Sequence, residues 1–333
     1  MFNGKDILIT GGTGTFGKCI VRTILQQYEP RRLIIFSRDE LKQSEMQEEY
    51  GGRKSCLRYF LGDVRDPERL KEAFHEVNFV VHAAALKQVP AIEYNPFEAI
   101  QTNVLGAQNV IRASILHKVK KIIALSTDKA ANPVNLYGAS KLCSDKLFVA
   151  GNSMSANAPS RFSAVRYGNV FGSRGSVVPL FLKKRKENVL PLTDKRMTRF
   201  SITTQEAVDF VLDCFKIMEG GELFVPKIPS YRLTDLAKAI APDAKIKYTG
   251  IRPGEKIHEL MIPEDEARKT LEFEDYFVVQ PDMRWWEEKK FKKAHNCVPC
   301  KGDFSYVSDS NPQWLSVADL KKLIAEYESV YAR

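Results

Sequence analysis

Short apolar runs rich in β-branched residues alternate with segments of helical periodicity through the first half of the chain. The apolar runs lie at 7–10, 32–36, 57–61, 79–82, 121–126 and 162–166. Since these runs are apolar throughout, the strands they predict should be buried on both faces, as in a parallel sheet covered by helices. The pattern therefore predicts repeated βα units in an α/β fold with a doubly wound, Rossmann-like sheet.

The pattern changes after Arg166. A glycine-rich stretch at 167–176 precedes a basic segment and an amphipathic helix from about Thr204 to Met218, for which Thr203 and Glu206 form a capping box. The run 224–228 predicts one more strand returning to the sheet. We therefore predict a nucleotide-binding domain of residues 1–167 plus about 200–228, and a smaller substrate-binding domain of residues 168–199 plus 229–333.

The composition predicts a globular protein. With 333 residues, of which 44% are hydrophobic and 27% charged, the chain can form one large or two modest cores. The first apolar run is too short for a signal peptide, and no stretch approaches the roughly 20 apolar residues that a membrane helix needs. We expect a cytoplasmic protein with no membrane partner.

Cysteine spacing and net charge add little further chemistry. The six cysteines are expected to be reduced, and Cys297 and Cys300, preceded by His295, have no second Cys or His pair nearby, so no metal site is predicted. The net charge of +9 and the basic run 183–186 suit anionic ligands. Without an aromatic-basic motif, we interpret the run as a solvated helix face and predict no nucleic-acid partner.

A glycine-rich loop follows the first predicted strand. Gly11, Gly14 and Gly17 lie between that strand and a helical segment at 18–27. Such glycines allow a tight turn, close approach of a pyrophosphate to the backbone, and close helix packing. A strand before the triplet and a helix after it predict a dinucleotide site.

The end of the second predicted strand favours NADP over NAD. An acidic residue usually binds the adenosine ribose there, whereas this chain has Ser37 and Arg38, with Lys42 four residues further on. Arg38 and Lys42 can share a helix face and bind a 2'-phosphate. Asp39 and Glu40 keep NAD open, since either could reach the ribose if the strand end is shifted. Asp63 and Val64 after the third strand, and Ala83, Ala84 and Ala85 after the fourth, are candidate adenine and backbone contacts.

Two Tyr-x-x-x-Lys pairs occur, and this spacing places both side chains on one helix face, where the ammonium can lower the tyrosine pKa. Tyr50 and Lys54 are interrupted by two glycines, which disfavour a helix. Tyr137 and Lys141 begin a helix shortly after the strand that ends at Ser126, so they can overhang the carboxyl edge of the sheet. We predict that the second pair is catalytic.

The glycine loop, Ser126-Thr127 and the Tyr137/Lys141 pair together resemble the extended short-chain dehydrogenase/reductase family, from residue 7 to about 260. The resemblance implies a bound NAD(P), a nucleotide-activated sugar as substrate, and a homo-oligomer, either a dimer or a hexamer. Strings at 37–43, 125–137, 196–200 and 252–256 are similar to one group within it. These are the UDP-N-acetylglucosamine 4,6-dehydratases that invert carbon 5, the first enzymes of pseudaminic acid biosynthesis.

This closer resemblance implies roles for four residues. Tyr137, with Lys141, takes the proton of the carbon 4 hydroxyl, and the resulting ketone acidifies carbon 5. Lys129 is the candidate base for carbon 5, provided that burial and neighbouring cations lower its pKa, and Asp128 protonates the departing carbon 6 hydroxyl. Dehydratases that retain configuration usually have Asp-Glu where this chain has Asp128-Lys129.

The resemblance also implies two sets of binding residues. Those expected at the cofactor are Gly11, Thr13, Gly14, Thr15, Phe16, Gly17, Ser37, Arg38, Lys42, Asp63, Val64, Ala83, Ala84, Ala85, Lys87, Asn103, Tyr137, Lys141 and Val170. Those expected at the substrate are Lys87 and Thr127 for the sugar, Asn169 and Thr193 for the nucleotide, Arg199 and Arg252 for the phosphates, and Glu255 for the ribose or neighbouring groups.

Three alternatives remain at this stage: a retaining 4,6-dehydratase, a nucleotide-sugar 4-epimerase, and a non-catalytic NADP-binding regulator. An epimerase has no use for an acid-base pair beside carbons 5 and 6, and a regulator has no need of the Tyr137/Lys141 pair.

Overall fold

The computed structural model describes residues 1–51, 55–155 and 159–331, which form a ten-stranded central sheet and three small sheets. The strands are β1 Asp6–Thr10, β2 Arg32–Ser37, β3 Leu57–Leu61, β4 Phe79–His82, β5 Lys121–Leu125, β6 Arg161–Val165, β7 Asn169–Val170, β8 Val189–Leu192, β9 Thr198–Ile202, β10 Leu223–Pro226, β11 Ser230–Arg232, β12 Lys245–Tyr248, β13 Leu260–Ile262, β14 Thr270–Glu272, β15 Tyr276–Val279, β16 Val298–Pro299 and β17 Tyr306–Val307.

The described residues also form α-helices. They are α1 Thr15–Gln27, α2 Glu40–Tyr50, α3 Pro67–Ala73, α4 Val89–Tyr94, α5 Pro96–Ala99, α6 Gly106–Leu116, α7 Leu136–Met154, α8 Val177–Lys184, α9 Thr204–Ile217, α10 Leu233–Ile240, α11 Glu264–Ala267, α12 Glu288–Ala294 and α13 Val317–Tyr331. A π-helical turn spans Ile100–Leu105, and 3₁₀ turns span Asp128–Ala130 and Arg185–Glu187.

The central sheet has the order β16-β14-β15-β10-β6-β5-β4-β1-β2-β3. From β3 to β10 all neighbours are parallel, and β15, β14 and β16 then add antiparallel pairs. All six strands predicted in the first half are present, with ends within one residue of the prediction, and the predicted return strand is β10. The α/β, doubly wound prediction is confirmed.

Two apolar cores lie on opposite faces of this sheet. Helices α1 and α9 cover one face through Ile20, Val21 and Phe215, while α3, α6 and α7 cover the other through side chains such as Ile111 and Phe148. The predicted capping box of α9 is present, because Thr203 accepts from the Glu206 amide and the Glu206 carboxylate accepts from the Thr203 amide. Packing on both faces explains why the parallel strands are apolar throughout.

A third core is separate from these two. It joins α8, β8, α10 and α13 through Phe181, Leu192, Leu236 and Leu320. The domain division stays a prediction, although β14, β15 and β16, which it assigned to the smaller domain, extend the large sheet.

Among residues 1–51, 55–155 and 159–331, no helix is long and apolar enough to cross a bilayer. Within the same ranges, no group of three or more His, Cys, Asp or Glu side chains could hold a metal ion, and Cys297 and Cys300 flank the short strand β16.

Candidate active site

A groove of about 570 Å³ runs along the carboxyl ends of the parallel strands. The strand order reverses at β1, which is where α/β sheets commonly bind nucleotides. Most of the predicted binding and catalytic residues line it: Gly11, Thr13, Gly14, Thr15, Phe16, Gly17, Ser37, Arg38, Lys42, Asp63, Val64, Ala83, Ala84, Ala85, Lys87, Thr127, Asp128, Lys129, Tyr137, Lys141, Asn169 and Val170. Asn103, Thr193, Arg199, Arg252 and Glu255 do not.

The glycine loop is closely packed beneath the groove. Gly11 has a φ of +68°, and a Cβ placed on it would lie 2.9 Å from the Ala84 amide nitrogen. A Cβ on Gly17 would lie 2.4 Å from the Gly12 carbonyl oxygen, so α1 can begin directly under the loop only with glycine there. This bare backbone at the start of α1 is a suitable cradle for a pyrophosphate.

The end of β2 is rich in cations. Asp39 is the N-cap of α2, where it accepts from the Lys42 amide and pairs with the Lys42 ammonium. Because of that ion pair, the pKa of Asp39 is lowered. Arg38 extends over the groove, more than half exposed, with Nη1 3.5 Å from Asp63 Oδ2. The Asp39 carboxylate is thus engaged within its own helix.

The loop after β4 is fixed from below by Asn103. Its amide oxygen accepts from the Leu86 amide at 2.8 Å, and its amide nitrogen donates to the Leu86 carbonyl at 2.9 Å and to Ser140 at 3.0 Å. Asn103 is 1% exposed. Asn103 therefore positions the loop that carries Ala85 and Lys87. The resemblance implied a direct contact of Asn103 with the cofactor instead.

Asp128 and Lys129 lie in the 3₁₀ turn after β5, directly against the first turn of α7. The approach is so close that a Cβ on Gly138 would lie 2.0 Å from the Lys129 carbonyl oxygen. Asp128 Oδ1 accepts from Thr127 at 2.8 Å and from the Lys129 ammonium at 3.0 Å, whereas Oδ2 is buried without a partner among the described residues. The acid-base pair is therefore assembled beside Tyr137.

The expectation that burial and neighbouring cations lower the pKa of Lys129 is wrong. Burial disfavours its ammonium and Arg199 repels it, but the carboxylates of Asp128 and Glu259 outweigh both and raise the pKa of Lys129 well above its ordinary value. The two nearest carboxylate oxygens lie 3.0 Å and 3.6 Å from Nζ. The Lys129 ammonium donates to Asp128 Oδ1, and the two carboxylates favour this protonated form.

The expected lowering of the Tyr137 pKa is also wrong. Burial raises the pKa of Tyr137, and the groups that oppose it are Lys129 and the hydrogen bond with Thr127. Burial lowers the pKa of Lys141, and the carboxylate of Asp145 partly offsets this. Lys129 therefore provides the positive charge that favours a Tyr137 phenolate. The other Tyr-Lys pair is only partly visible: Tyr50 ends α2, and Lys54 lies outside the described residues.

Two carboxylates near the site were not predicted from the sequence. Asp145, one turn after Lys141 on α7, accepts from Ser126 and faces Arg166. Glu259 is brought to Lys129 from a distant part of the chain. The spacing from Lys141 to Asp145 signals a shared helix face, but nothing in the sequence places Glu259.

Four predicted substrate residues do not line the groove. Arg199 is 7% exposed and donates to the backbone carbonyls of Thr198, Ile257 and Lys256, so its guanidinium has a structural role here. Arg252 pairs with Glu255 on an exposed turn, and the side chain of Glu255 also accepts from the Arg252 amide. Thr193 follows β8. Their substrate roles remain predictions.

The family described as polysaccharide biosynthesis protein matches residues 7–281. The chain belongs to that family. One relative, the UDP-N-acetylglucosamine 4,6-dehydratase (inverting) of Campylobacter jejuni subsp. jejuni serotype O:23/36 (strain 81-176), is 54% identical over 98% of this chain and 99% of its own. The resemblance stated from the sequence is confirmed.

Other similar proteins have different names. The UDP-glucose 4-epimerase of Rickettsia bellii (strain OSU 85-389) is 38% identical over 99% of this chain and 98% of its own. Among solved structures, Pen from Bacillus thuringiensis matches with a TM-score of 0.88 and 37% identity, over 98% of this chain and 99% of that one. The dTDP-glucose 4,6-dehydratase DesIV from Streptomyces venezuelae has a TM-score of 0.70 and 18% identity over 98% and 97%, and shows the shared fold.

Proposed function

We propose that this protein is an inverting UDP-N-acetylglucosamine 4,6-dehydratase. The observation that carries the proposal is the Asp128-Lys129 pair, positioned in the groove beside Tyr137. The 54% identical relative of that name supports it, because the similarity extends over nearly the whole of both chains. The product would be UDP-2-acetamido-2,6-dideoxy-β-L-arabino-hex-4-ulose, which the resemblance assigns to pseudaminic acid biosynthesis.

We infer that the cofactor is NADP. The glycine cradle fits a pyrophosphate, and Arg38 and Lys42 lie where a 2'-phosphate would be bound. Asp39, the acidic residue that kept NAD open, is occupied as a helix N-cap. When bound, the nicotinamide supplies the redox chemistry by accepting a hydride from carbon 4 and returning one to carbon 6.

The residues of the chain supply the proton transfers. Tyr137 would take the proton of the carbon 4 hydroxyl, and the nearby Lys129 ammonium partly offsets the burial that raises the pKa of Tyr137. The ketone that results acidifies carbon 5. Asp128 and Lys129 would then handle the two protons of the elimination, one leaving carbon 5 and one joining the departing hydroxyl.

A second candidate is a nucleotide-sugar 4-epimerase, which the 38% identical Rickettsia relative favours. Epimerisation needs a base at carbon 4 and nothing beside carbons 5 and 6. The buried Asp128 carboxylate with a free oxygen therefore supports dehydration. A retaining dehydratase shares the fold and differs in the face from which carbon 5 is reprotonated.

Other features of the proposal rest on resemblance. UDP-N-acetylglucosamine is the proposed substrate, with Lys87, Thr127 and Asn169 along the groove. A homo-oligomer and a cytoplasmic location are part of the same proposal, and all six cysteines being free thiols agrees with a reducing compartment.

The test is to incubate the purified protein with NADP and UDP-N-acetylglucosamine in deuterated water, and to analyse the product by NMR. A 4-keto-6-deoxy sugar with deuterium at an inverted carbon 5 is expected. A 4-epimer without deuterium would establish the epimerase instead, and a labelled carbon 5 of retained configuration would refute inversion. Absence of any product would overturn the proposal.

A further inference from the structure

Glu259 is a buried carboxylate in contact with the proposed acid-base pair. It immediately precedes β13 and is 3% exposed. Its Oε1 atom lies 3.3 Å from Arg199 Nε and 3.6 Å from Lys129 Nζ. Its Oε2 atom is buried and has no hydrogen-bond partner among the described residues. A buried charge is normally paired, and here the groups available are Arg199 and Lys129.

The backbone of Glu259 is fixed on both sides. Its amide donates to Ser308 Oγ at 2.8 Å, and its carbonyl accepts from the Ser308 amide at 2.9 Å. Arg199 is immobilised in turn by the carbonyls of Thr198, Ile257 and Lys256. The carboxylate is therefore presented to Lys129 by a rigid frame that lies outside the Rossmann strands.

The charges around Lys129 come from several elements. The carboxylates are Asp128 and Glu259, the cations are Arg199, Lys256 and Lys87, and the phenols are Tyr137 and Tyr231. Lys129 forms ion pairs with both carboxylates. Without Glu259, the ammonium would face these cations with a single counterion.

We propose that Glu259 is a positioning residue that keeps Lys129 as an ammonium, so that Lys129 is the acid of the elimination and Asp128 is the base. The inference rests on the proposed function and reverses the roles that the resemblance implies. Asp128 suits the base role because its Oδ2 atom is free while Oδ1 accepts from Thr127 and Lys129. Glu259 acts through Lys129.

The elimination transfers two protons. The bond from carbon 5 to hydrogen breaks, its proton goes to the Asp128 carboxylate, and its electron pair forms the double bond between carbons 5 and 6. The bond from carbon 6 to oxygen breaks, and the oxygen leaves with a proton from Lys129 as water. Proton transfer from the Asp128 carboxyl to the neutral Lys129 amine, already hydrogen-bonded at 3.0 Å, restores the pair.

The experiment compares the pH dependence of kcat/KM for the wild type and Glu259→Gln, measured as 4-keto-6-deoxy product formed. If Lys129 is the acid, wild-type activity falls only near or above the ordinary lysine pKa of about 10.4. In Glu259→Gln this fall should occur at least about one pH unit lower, while kcat at neutral pH changes little because Lys129 stays protonated there. Glu259→Asp, which restores the charge, should recover much of the difference.

A base role for Lys129 predicts the opposite sign. Wild-type activity would then rise with pH toward the lysine pKa, and Glu259→Gln would be more active than the wild type at neutral pH. That result, or an unchanged pH profile in a folded Glu259→Gln protein, would overturn the inference. If Glu259→Gln does not fold, Glu259→Asp gives the same test with a smaller shift, since its shorter side chain moves the charge away from Lys129.

Glu222→Gln is the matched control. Glu222 is also fully buried, but it lies at the start of β10, bonded to Ser163 and to the amides of Glu219 and Gly220. Its substitution should lower stability and leave the pH profile in place. A wild-type protein that forms no 4-keto-6-deoxy product would refute the proposed function itself, whereas an active wild type with an unshifted variant would refute only the role of Glu259.

Discussion

Ser126 donates a 2.6 Å hydrogen bond to Asp145, which ties the end of β5 to the helix that carries Tyr137 and Lys141. Asp145 is 4% exposed, and Arg166 Nη2 lies 3.8 Å from its Oδ2 atom. Arg166, itself 1% exposed, also donates to Glu266 at 2.8 Å and to the Met261 carbonyl. The Lys141 ammonium thus has a buried counterion within a larger ion network.

Asp145→Asn should destabilise the fold by about 3–5 kcal/mol, because it leaves Arg166 buried with less charge compensation. Urea unfolding followed by circular dichroism measures this. Asp213→Asn is the control: Asp213 pairs with Lys216 on an exposed turn of α9, so its loss should cost less than about 1 kcal/mol. Equal effects of the two substitutions would contradict a special role for the buried network.

Tyr137→Phe should lower kcat by about 10²- to 10⁴-fold while NADP still binds, since only the proton acceptor at carbon 4 is lost. Product formation and calorimetric titration with NADP measure the two quantities. Tyr50→Phe is the control from the other Tyr-x-x-x-Lys pair, because Tyr50 lies on α2, outside the lining of the groove. Loss of activity in Tyr50→Phe as large as in Tyr137→Phe would contradict the assignment.

Local patterns predicted the strands and the cofactor end of the groove. Apolar runs, glycines and capping residues act within a few positions of one another, so their structural effect can be inferred from spacing. The ion pair of Lys129 with Glu259 joins residues 130 positions apart, and Arg199 and Ser308 hold Glu259 in place. Sequence spacing carries no information about such a contact.

The protonation states of the site residues could not be predicted from the sequence either. The expected lowering of the Lys129 pKa assumed that burial and neighbouring cations dominate, whereas the carboxylates of Asp128 and Glu259 outweigh burial and the nearby Arg199. Arg199 shows the same limit, because the resemblance of its string implied a phosphate contact, while its guanidinium donates to backbone carbonyls here. A motif fixes which residue is present, but the surroundings of its side chain depend on tertiary packing.

Arg38→Ala should weaken NADP binding by about 10- to 100-fold, because a charge-assisted contact to the 2'-phosphate would be lost. Binding of NAD should change little, since it has no such phosphate. Calorimetric titration of each cofactor against wild type and variant measures both. Arg185→Ala is a suitable control, because Arg185 pairs with Glu328 and lies outside the groove lining. Equal loss of NAD and NADP affinity in Arg38→Ala would contradict the proposed preference.

His82 should make the protein less stable in mild acid. Burial lowers the pKa of His82 to about 3, and its Nδ1 atom lies 2.8 Å from the Thr10 hydroxyl, which also accepts from the Ala84 amide. The unfolded chain, with a pKa of about 6.5, binds a proton that the folded chain excludes. This contribution is complete above about pH 6.5 and declines as the pH falls toward 3, by up to about 1.4 kcal/mol per pH unit.

Urea unfolding at several pH values between about 7 and 5 measures this slope, above the range in which most carboxylates titrate. His82→Gln should have a flatter slope, whatever its absolute stability. The lowered pKa of His117 adds a change of the same sign and should persist in the variant. An unchanged slope in His82→Gln would contradict the buried neutral imidazole.

Gly138→Ala should disturb the active site through packing alone. The added Cβ would lie 2.0 Å from the Lys129 carbonyl oxygen, so the first turn of α7 must move away from the 3₁₀ turn that bears Asp128 and Lys129. We expect a loss of about 1–3 kcal/mol in unfolding free energy and a larger fall in kcat than in NADP affinity, since the displacement separates Tyr137 from the acid-base pair. Gly302→Ala is the control, because its Cβ would meet no atom within 4 Å. Activity equal to wild type in Gly138→Ala would show that the two elements need not touch for catalysis.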